Sequence, residues 1–240
     1  AKSRSNLRLP GVQEELVKAI QATGKPVVVL INAGRPLIFN WTADQVPAIL
    51  YTWWLGSEAG NAIADVLFGD YNPSGKLPIS FPREEGQIPI YYNHFNTGRP
   101  APNETATNYV SAYIDLKNSP KFPFGYGLSY TTFNYSDLQL SKKVIKKNET
   151  ITVSFTLTNT GKFDGEEVVQ LYLKDQVGSV VRPVKELRDF QKVFLKAGAS
   201  QKITFTIDKE KLAFYNAKLE WAPEPGAFEV QLGASSADIR

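Results

Sequence analysis

The sequence predicts an α/β region followed by an antiparallel β-sandwich. Three observations carry that reading. Up to about residue 83, helical spacing alternates with short apolar runs. From 84 to about 132 no period is visible, although aromatics and prolines are frequent. From 133 to 240, apolar and polar residues alternate with period two.

In the first region, Val12, Leu16, Ala19 and Ile20 recur at helical spacing after Pro10-Gly11, and Gly24 and Pro26 end that helix. Val27 to Ile31 is a continuous apolar, β-branched run, which suits a parallel strand covered on both faces. Ile49 to Trp54 is a second such run. Ala59, Ala62, Ile63, Val66 and Leu67 then restore helical spacing, with Gly69 as the stop. The alternation implies an open, mostly parallel sheet with helices. Two or three strands alone would leave long exposed edges, so further strands are expected ahead of Ala1.

The middle segment contains Pro89, Pro100, Pro102, Pro120 and Pro123 among many aromatics. Aromatic content argues against disorder, so it reads as an ordered strap packed over its neighbours. In the last region Ile151, Val153, Phe155 and Leu157 face one way, and Thr152, Ser154, Thr156 and Thr158 the other. Val169, Leu171 and Leu173 repeat the pattern, as do Ile203, Phe205 and Ile207, and Phe228, Val230 and Leu232. Turn signals stand at Asn159-Thr160-Gly161, Lys196-Ala197-Gly198 and Pro225-Gly226. About 100 residues of short strands at this spacing fit an immunoglobulin-like or fibronectin type III-like β-sandwich.

Composition narrows the function classes. With 240 residues, 42% hydrophobic and 21% charged, the chain can bury a sizeable core. A net charge of +3 without a basic run makes no case for nucleic acid. No stretch approaches the roughly 20 apolar residues of a membrane span. The absence of cysteine excludes disulfides, zinc–thiolate sites and thiol nucleophiles. A single histidine cannot build a triad or a metal site unaided, so no metal ligands are assigned. The glycines form neither a GxGxxG nor a Walker pattern. There is no methionine, so Ala1 is read as lying within a longer protein, with no signal peptide to interpret. Sequons at Asn40, Asn103, Asn134 and Asn148 matter only in a eukaryotic secretory host.

Four segments carry a resemblance. They are Asn72-Pro73-Ser74-Gly75-Lys76-Leu77-Pro78 through Phe81-Pro82; Phe122-Pro123-Phe124-Gly125-Tyr126-Gly127-Leu128-Ser129-Tyr130-Thr131-Thr132-Phe133; Asn159-Thr160-Gly161 with Gly165 to Tyr172; and Arg182-Pro183-Val184-Lys185-Glu186-Leu187. In this order and spacing they resemble family 3 glycoside hydrolases of the β-glucosidase type, over essentially the whole chain. The resemblance implies a TIM-like barrel, then an α/β sandwich, and often a fibronectin type III-like domain. Residues 1–83 would be the C-terminal part of the α/β sandwich, 84–132 the strap and 133–240 the fibronectin type III-like domain. The implied activity is retaining exo-hydrolysis of β-glucosides, without a cofactor, by two carboxyls about 5–5.5 Å apart. In the family the nucleophilic Asp lies on the barrel, and the acid/base Glu directly precedes a segment similar to Ala1-Lys2-Ser3-Arg4. No residue here inherits a catalytic role, and the chain alone is expected to be inactive. The implied partners are the missing N-terminal barrel and a β-glucoside or oligosaccharide. A homo-oligomer is compatible with this, and a periplasmic or secreted location is expected.

Four residues are candidates for substrate contact. Ser3 and Arg4 follow the expected acid/base position. His94 and Arg99 share the polar loop Tyr91 to Pro100, where the alternative for His94 is satisfaction by backbone groups. Glu58 stands where a strand end meets a helix start, and the favoured reading is a helix-dipole partner in the first turn. One of Trp53 and Trp54 could stack on a sugar, but packing in a core or domain interface is preferred for both. The competing function is a carbohydrate-binding or structural interaction module without catalysis.

Overall fold

Helix and strand alternate from the start of the chain: α1 (Gln13–Gln21), β1 (Val28–Ile31), α2 (Asn40–Gln45), β2 (Ala48–Tyr51) and α3 (Ala59–Phe68). The computed structural model describes residues 4–106, 108–146 and 149–240; Ser3 and the sequon at Asn148 lie outside them. β1 and β2 pair in parallel, with Val28 opposite Ala48 and Ile31 opposite Tyr51. Ile31, Phe39 and Phe81 form a small core, flanked by Val29, Leu37, Tyr51, Trp53 and Phe122. Gly69 closes α3 at φ 88°, a left-handed conformation that glycine adopts without a Cβ clash.

One expectation for this region needs correction. Among the described residues the sheet is covered on one face: Val28 and Leu30 remain 52% and 44% exposed, while Val29 and Ile31 turn to the core. The unbroken apolar run thus belongs to a strand whose second face has no cover among the described residues. α1 likewise turns Val12, Leu16 and Ile20 outward. The second apolar run is shorter as a strand than expected. β2 ends at Tyr51, and the chain reverses at Trp53, where φ is 55°. α2 was not anticipated; six residues with one buried position carry no apolar stripe to announce it.

The remaining strands are β3 (Phe133–Leu140), β4 (Ile151–Asn159), β5 (Gly165–Asp175), β6 (Glu186–Leu195), β7 (Ser200–Ile207), then after the short α4 (Lys209–Leu212), β8 (Phe214–Tyr215), β9 (Trp221–Ala222) and β10 (Phe228–Gly233). One antiparallel sheet runs β3-β4-β7 and the other β10-β5-β6. Their facing sides bury Val153, Phe155, Leu157, Val169, Leu171, Leu173, Ile203, Phe205, Ile207 and Leu232. These are positions that the period-two pattern assigned to the inward face. The class, α/β followed by a β-sandwich, is borne out.

Three of the four segments singled out in the sequence meet at one junction. The strap lies along the end of the α/β region: the Leu77 N–H donates to the Tyr126 carbonyl (2.8 Å), Gly125 N–H to Leu77 (2.8 Å), Phe81 N–H to Phe122 (2.8 Å) and Lys121 N–H to Phe81 (2.7 Å). Lys76 then reaches across to Glu167 of β5 at 3.0 Å, with both side chains nearly buried. Asn72 Nδ2 donates to the Asp164 carbonyl, while its Oδ1 accepts from the Ser129 hydroxyl and the Tyr130 N–H, all at 2.8 Å. Glu166 Oε2 accepts from Lys192 (2.6 Å), the Tyr71 hydroxyl (3.0 Å) and the Ser74 hydroxyl (3.1 Å). Gln170 Nε2 donates to the carbonyls of Gly125 (3.2 Å) and Ala234 (2.8 Å). The segments approach so closely that a Cβ at Gly127 would stand 2.2 Å from the Gly75 carbonyl oxygen.

Replacing Glu167 by alanine strands a nearly buried ammonium, and should cost about 3–5 kcal/mol. Replacing Glu149, whose 2.8 Å pair with Lys142 is exposed, should barely move the unfolding midpoint. Urea denaturation of the two variants side by side makes the comparison.

A pH test follows from Glu166. The Lys192 ammonium holds its carboxyl below the usual range; burial opposes it less strongly, and the hydroxyls of Tyr71 and Ser74 add smaller lowering effects. Because the folded value is depressed, the stabilisation is fully present above the unfolded carboxylate value. It is lost as pH falls through the folded one. Thermal unfolding of Glu166→Gln should lie below that of the parent at neutral pH and converge with it in acid. A gap of constant size down to acid pH would exclude a role for the ionised carboxylate.

Candidate functional site

Open parallel sheets place ligand sites at the carboxyl ends of their strands. Here that edge is where the N-terminal segment returns. Arg8 bridges Ile38, and the Ile38 N–H donates to the Leu7 carbonyl at 2.8 Å. The Arg35 guanidinium, just beyond β1, donates to the carbonyls of Arg4 (2.5 Å) and Asn6 (3.2 Å). Tyr51, the last residue of β2, donates its hydroxyl to the Arg35 carbonyl. Arg4 is therefore held at the strand ends through its backbone, while its side chain stays exposed. With Arg8 it lines a cavity of about 600 Å³ along the Arg4–Gly11 segment.

The loop after β2 supplies the aromatic part. The Thr52 N–H makes the last rung, to the Ile31 carbonyl at 2.9 Å. Trp53 then takes a left-handed φ of 55°, which is costly for a bulky side chain. The reversal sends Trp53 inward, edge-on to Tyr51 at 5.0 Å and to Phe81 at 5.9 Å between ring centroids. It sends Trp54 outward, 76% exposed. Trp53 packs against the small core, and Trp54 packs into no core among the described residues. The Trp54 indole instead lies against Gly34, where a Cβ would meet its Nε1 at 1.9 Å.

Glu58 occupies the N-cap position of α3 rather than its first turn, and makes no capping bond. Its Oε2 accepts from Asn61 Nδ2 at 2.6 Å, and it is the only carboxylate between β2 and α3. His94 lies on the strap, exposed, with Nδ1 3.0 Å from the Phe95 carbonyl oxygen. Its own carbonyl accepts from the Val184 N–H at 3.0 Å, which lays this stretch on the sandwich. Arg99 is exposed further along the strap, its carbonyl accepting from the Ser111 N–H at 2.7 Å. Among the described residues, no hydrogen bond or ion pair joins the side chains of Arg4, His94 and Arg99 to one another. Sequence reasoning missed Gly34, Arg35 and Tyr51. The turn-forming stretch Asn32-Ala33-Gly34-Arg35-Pro36 directly after a strand-sized run was the available signal.

This edge combines an exposed aromatic ring with exposed guanidinium groups. Such a surface suits recognition of a polyhydroxylated ligand by stacking and hydrogen bonding. Among the described residues, no cluster of three or more His, Asp or Glu could hold a metal ion.

Comparison with known proteins agrees with the geometry. The profile of the Glycosyl hydrolase family 3 C-terminal domain matches residues 1–130, and that of the fibronectin type III-like domain matches residues 167–236. A periplasmic β-glucosidase of Salmonella typhimurium is 51% identical over 100% of this chain, and a β-xylosidase of Formosa agariphila 46% identical over 97%. The chain spans 31% of the length of each of these relatives. A β-glucosidase of Listeria innocua, solved in complex with glucose, superposes with a TM-score of 0.95 at 45% identity, over 99% of this chain and 33% of that one.

Gly34→Ala tests the seating of Trp54. The added methyl must displace the indole, and an exposed indole can swing away cheaply. Stability should change little while tryptophan emission shifts, and Trp54→Phe identifies the contribution of that residue. Emission unchanged by Gly34→Ala would contradict the contact.

Proposed function

The chain belongs to glycoside hydrolase family 3, and from that premise we propose that it works as the C-terminal portion of a retaining, exo-acting β-glucosidase-type enzyme. The observation that carries the reading is the match to β-glucosidases along the whole of this chain and about a third of theirs. In this reading the remaining two thirds bring the barrel with its nucleophile and the acid/base. The present residues frame one side of the pocket. The uncovered face of β1 and the outward stripe of α1 support the proposal, since both are surfaces that further layers of an α/β sandwich would bury.

Trp54 serves as a platform for the sugar beyond the scissile bond, and Arg4, His94 and Arg99 are exposed side chains available to the rim. Ser3 belongs to the same proposal by its place next to Arg4. The terminal sugar is a glucoside or a xyloside, the two classes for which the similar enzymes are named. The β-sandwich acts as a buttress. A periplasmic or secreted location is supported by the periplasmic relative. Among the described residues no helix is long and apolar enough to cross a membrane.

The chain by itself should not hydrolyse an aryl β-glucoside. Joined to the barrel-bearing portion of a relative, it should. In the joined enzyme Trp54→Ala should raise KM for a disaccharide about tenfold with a smaller effect on kcat, the size expected for one aromatic contact. Turnover by the chain alone, abolished by a mutation within it, overturns the proposal.

A further inference from the structure

We propose that the junction carries a second, non-catalytic saccharide site, in the cleft between the end of α3 and the turn from β4 to β5. The cleft encloses about 660 Å³ and is lined by Phe68, Asp70, Asn72, Tyr130, Phe163 and Asp164. Small-molecule sites commonly measure about 300–1,000 Å³ and favour domain junctions. The cleft is separate from the edge that carries Trp54. That edge adjoins the start of α3, and Phe68 is the last residue of this 10-residue helix, about 15 Å away along its axis.

The walls and the floor differ in a way that suits a ligand. Phe68 and Phe163 are 84% and 60% exposed, an arrangement that offers apolar surface to solvent. The floor is rigid. The Tyr130 hydroxyl donates to the Val66 carbonyl at 2.7 Å, and Asn72 is held from three sides by Asp164, Ser129 and Tyr130. Asp164 Oδ1 accepts from the Ala197 N–H at 2.9 Å. The second oxygen of Asp164, and both of Asp70, make no hydrogen bond or ion pair with the described residues. The cleft thus presents aromatic walls with unspent acceptors beside them. A pyranose with equatorial hydroxyls complements this, because its C–H faces are apolar and its rim is a ring of O–H donors.

Aromatic rings beside carboxylates also suit an organic cation. Against that occupant, exposed Lys162 adjoins Phe163 in the chain, and the net charge is +3. A neutral ligand fits better. The choice of a β-linked gluco-oligosaccharide rests on the function proposed above; the cleft itself rests on the geometry.

Calorimetric titration of the chain with cellotetraose tests the site, with free arginine titrated in parallel. Saturable binding in the millimolar range is expected. Phe68→Ala and Phe163→Ala should each weaken it about tenfold, the loss of one stacking contact, with circular dichroism unchanged. Trp54→Ala should leave it as it was. No saturable heat with cellotetraose, binding that survives the double variant Phe68→Ala/Phe163→Ala, or arginine binding in place of sugar would each refute the site. The glycosidase proposal is read independently from turnover by the joined enzyme, so either can fail while the other stands.

Discussion

Lys76 and Glu167 face each other across the junction between the α/β region and the sandwich, 3.0 Å apart and nearly out of reach of water. A pair in such a place contributes little net stability relative to an apolar contact, yet losing one partner is severe, because the other is left charged and desolvated. The pair therefore acts on register. It admits one position of the segment around Lys76 against β5, and the neighbouring contacts exist only in that position. Glu166 collects three donors beside it, Asn72 ties the strap to the β4–β5 turn, and Gln170 locks Gly125 and Ala234. The glycines follow from the same constraint, since a Cβ at Gly125 would enter the Gln170 side chain and one at Gly165 the Asn72 amide. Three of the four segments that carried the family resemblance are thus members of one interlocked structure. They mark the junction rather than the chemistry.

That constraint also explains which parts of the fold were legible in the sequence. In β7, inward residues are buried and outward ones are wetted, so period two maps directly onto burial; β4 and β5 bury the same inward set, but Ser154, Gln170 and Tyr172 on their other face are buried as well. β6 breaks the rule: Phe190 and Phe194 face outward, while Val193 and Leu195 face the core. Its composition shows no clean alternation. The strap is ordered by backbone pairing with residues 77–81 and by the side chains of Arg83 and Gln87 on the carbonyls of Ser119, Pro120 and Lys117. Backbone pairing of an irregular segment leaves no periodic trace. The continuous apolar run of β1 records a requirement for cover on both faces, which the described residues meet on one.

The candidate site was legible in its location and much less so in its parts. The alternation of helix and strand pointed to the carboxyl ends of β1 and β2, and Arg4 is held there. What places it there is Arg35, through backbone carbonyls that have no sequence signature. The left-handed Trp53 is equally silent, because no glycine announces the turn. Such a conformation costs on the order of 1–3 kcal/mol and persists only where its surroundings over-determine it. Here the contacts of Trp53 with Tyr51 and Phe81 supply that determination. The strained residue and the exposed one are therefore a single device: burial of Trp53 is what holds Trp54 outward over Gly34.

The device and the junction are joined by α3. Its first turn follows the Trp54 loop, and its last turn receives the Tyr130 hydroxyl on the Val66 carbonyl. A helix of this length behaves as a stiff rod about 15 Å long. The contacts beside its last turn, Tyr130 on Val66 and Asn72 on Asp164, are polar and directional. α3 thus spans the distance between the Trp54 loop and the junction. At that junction an apolar interface could slide and still remain buried, whereas the Lys76–Glu167 pair fixes where the α/β region must lie.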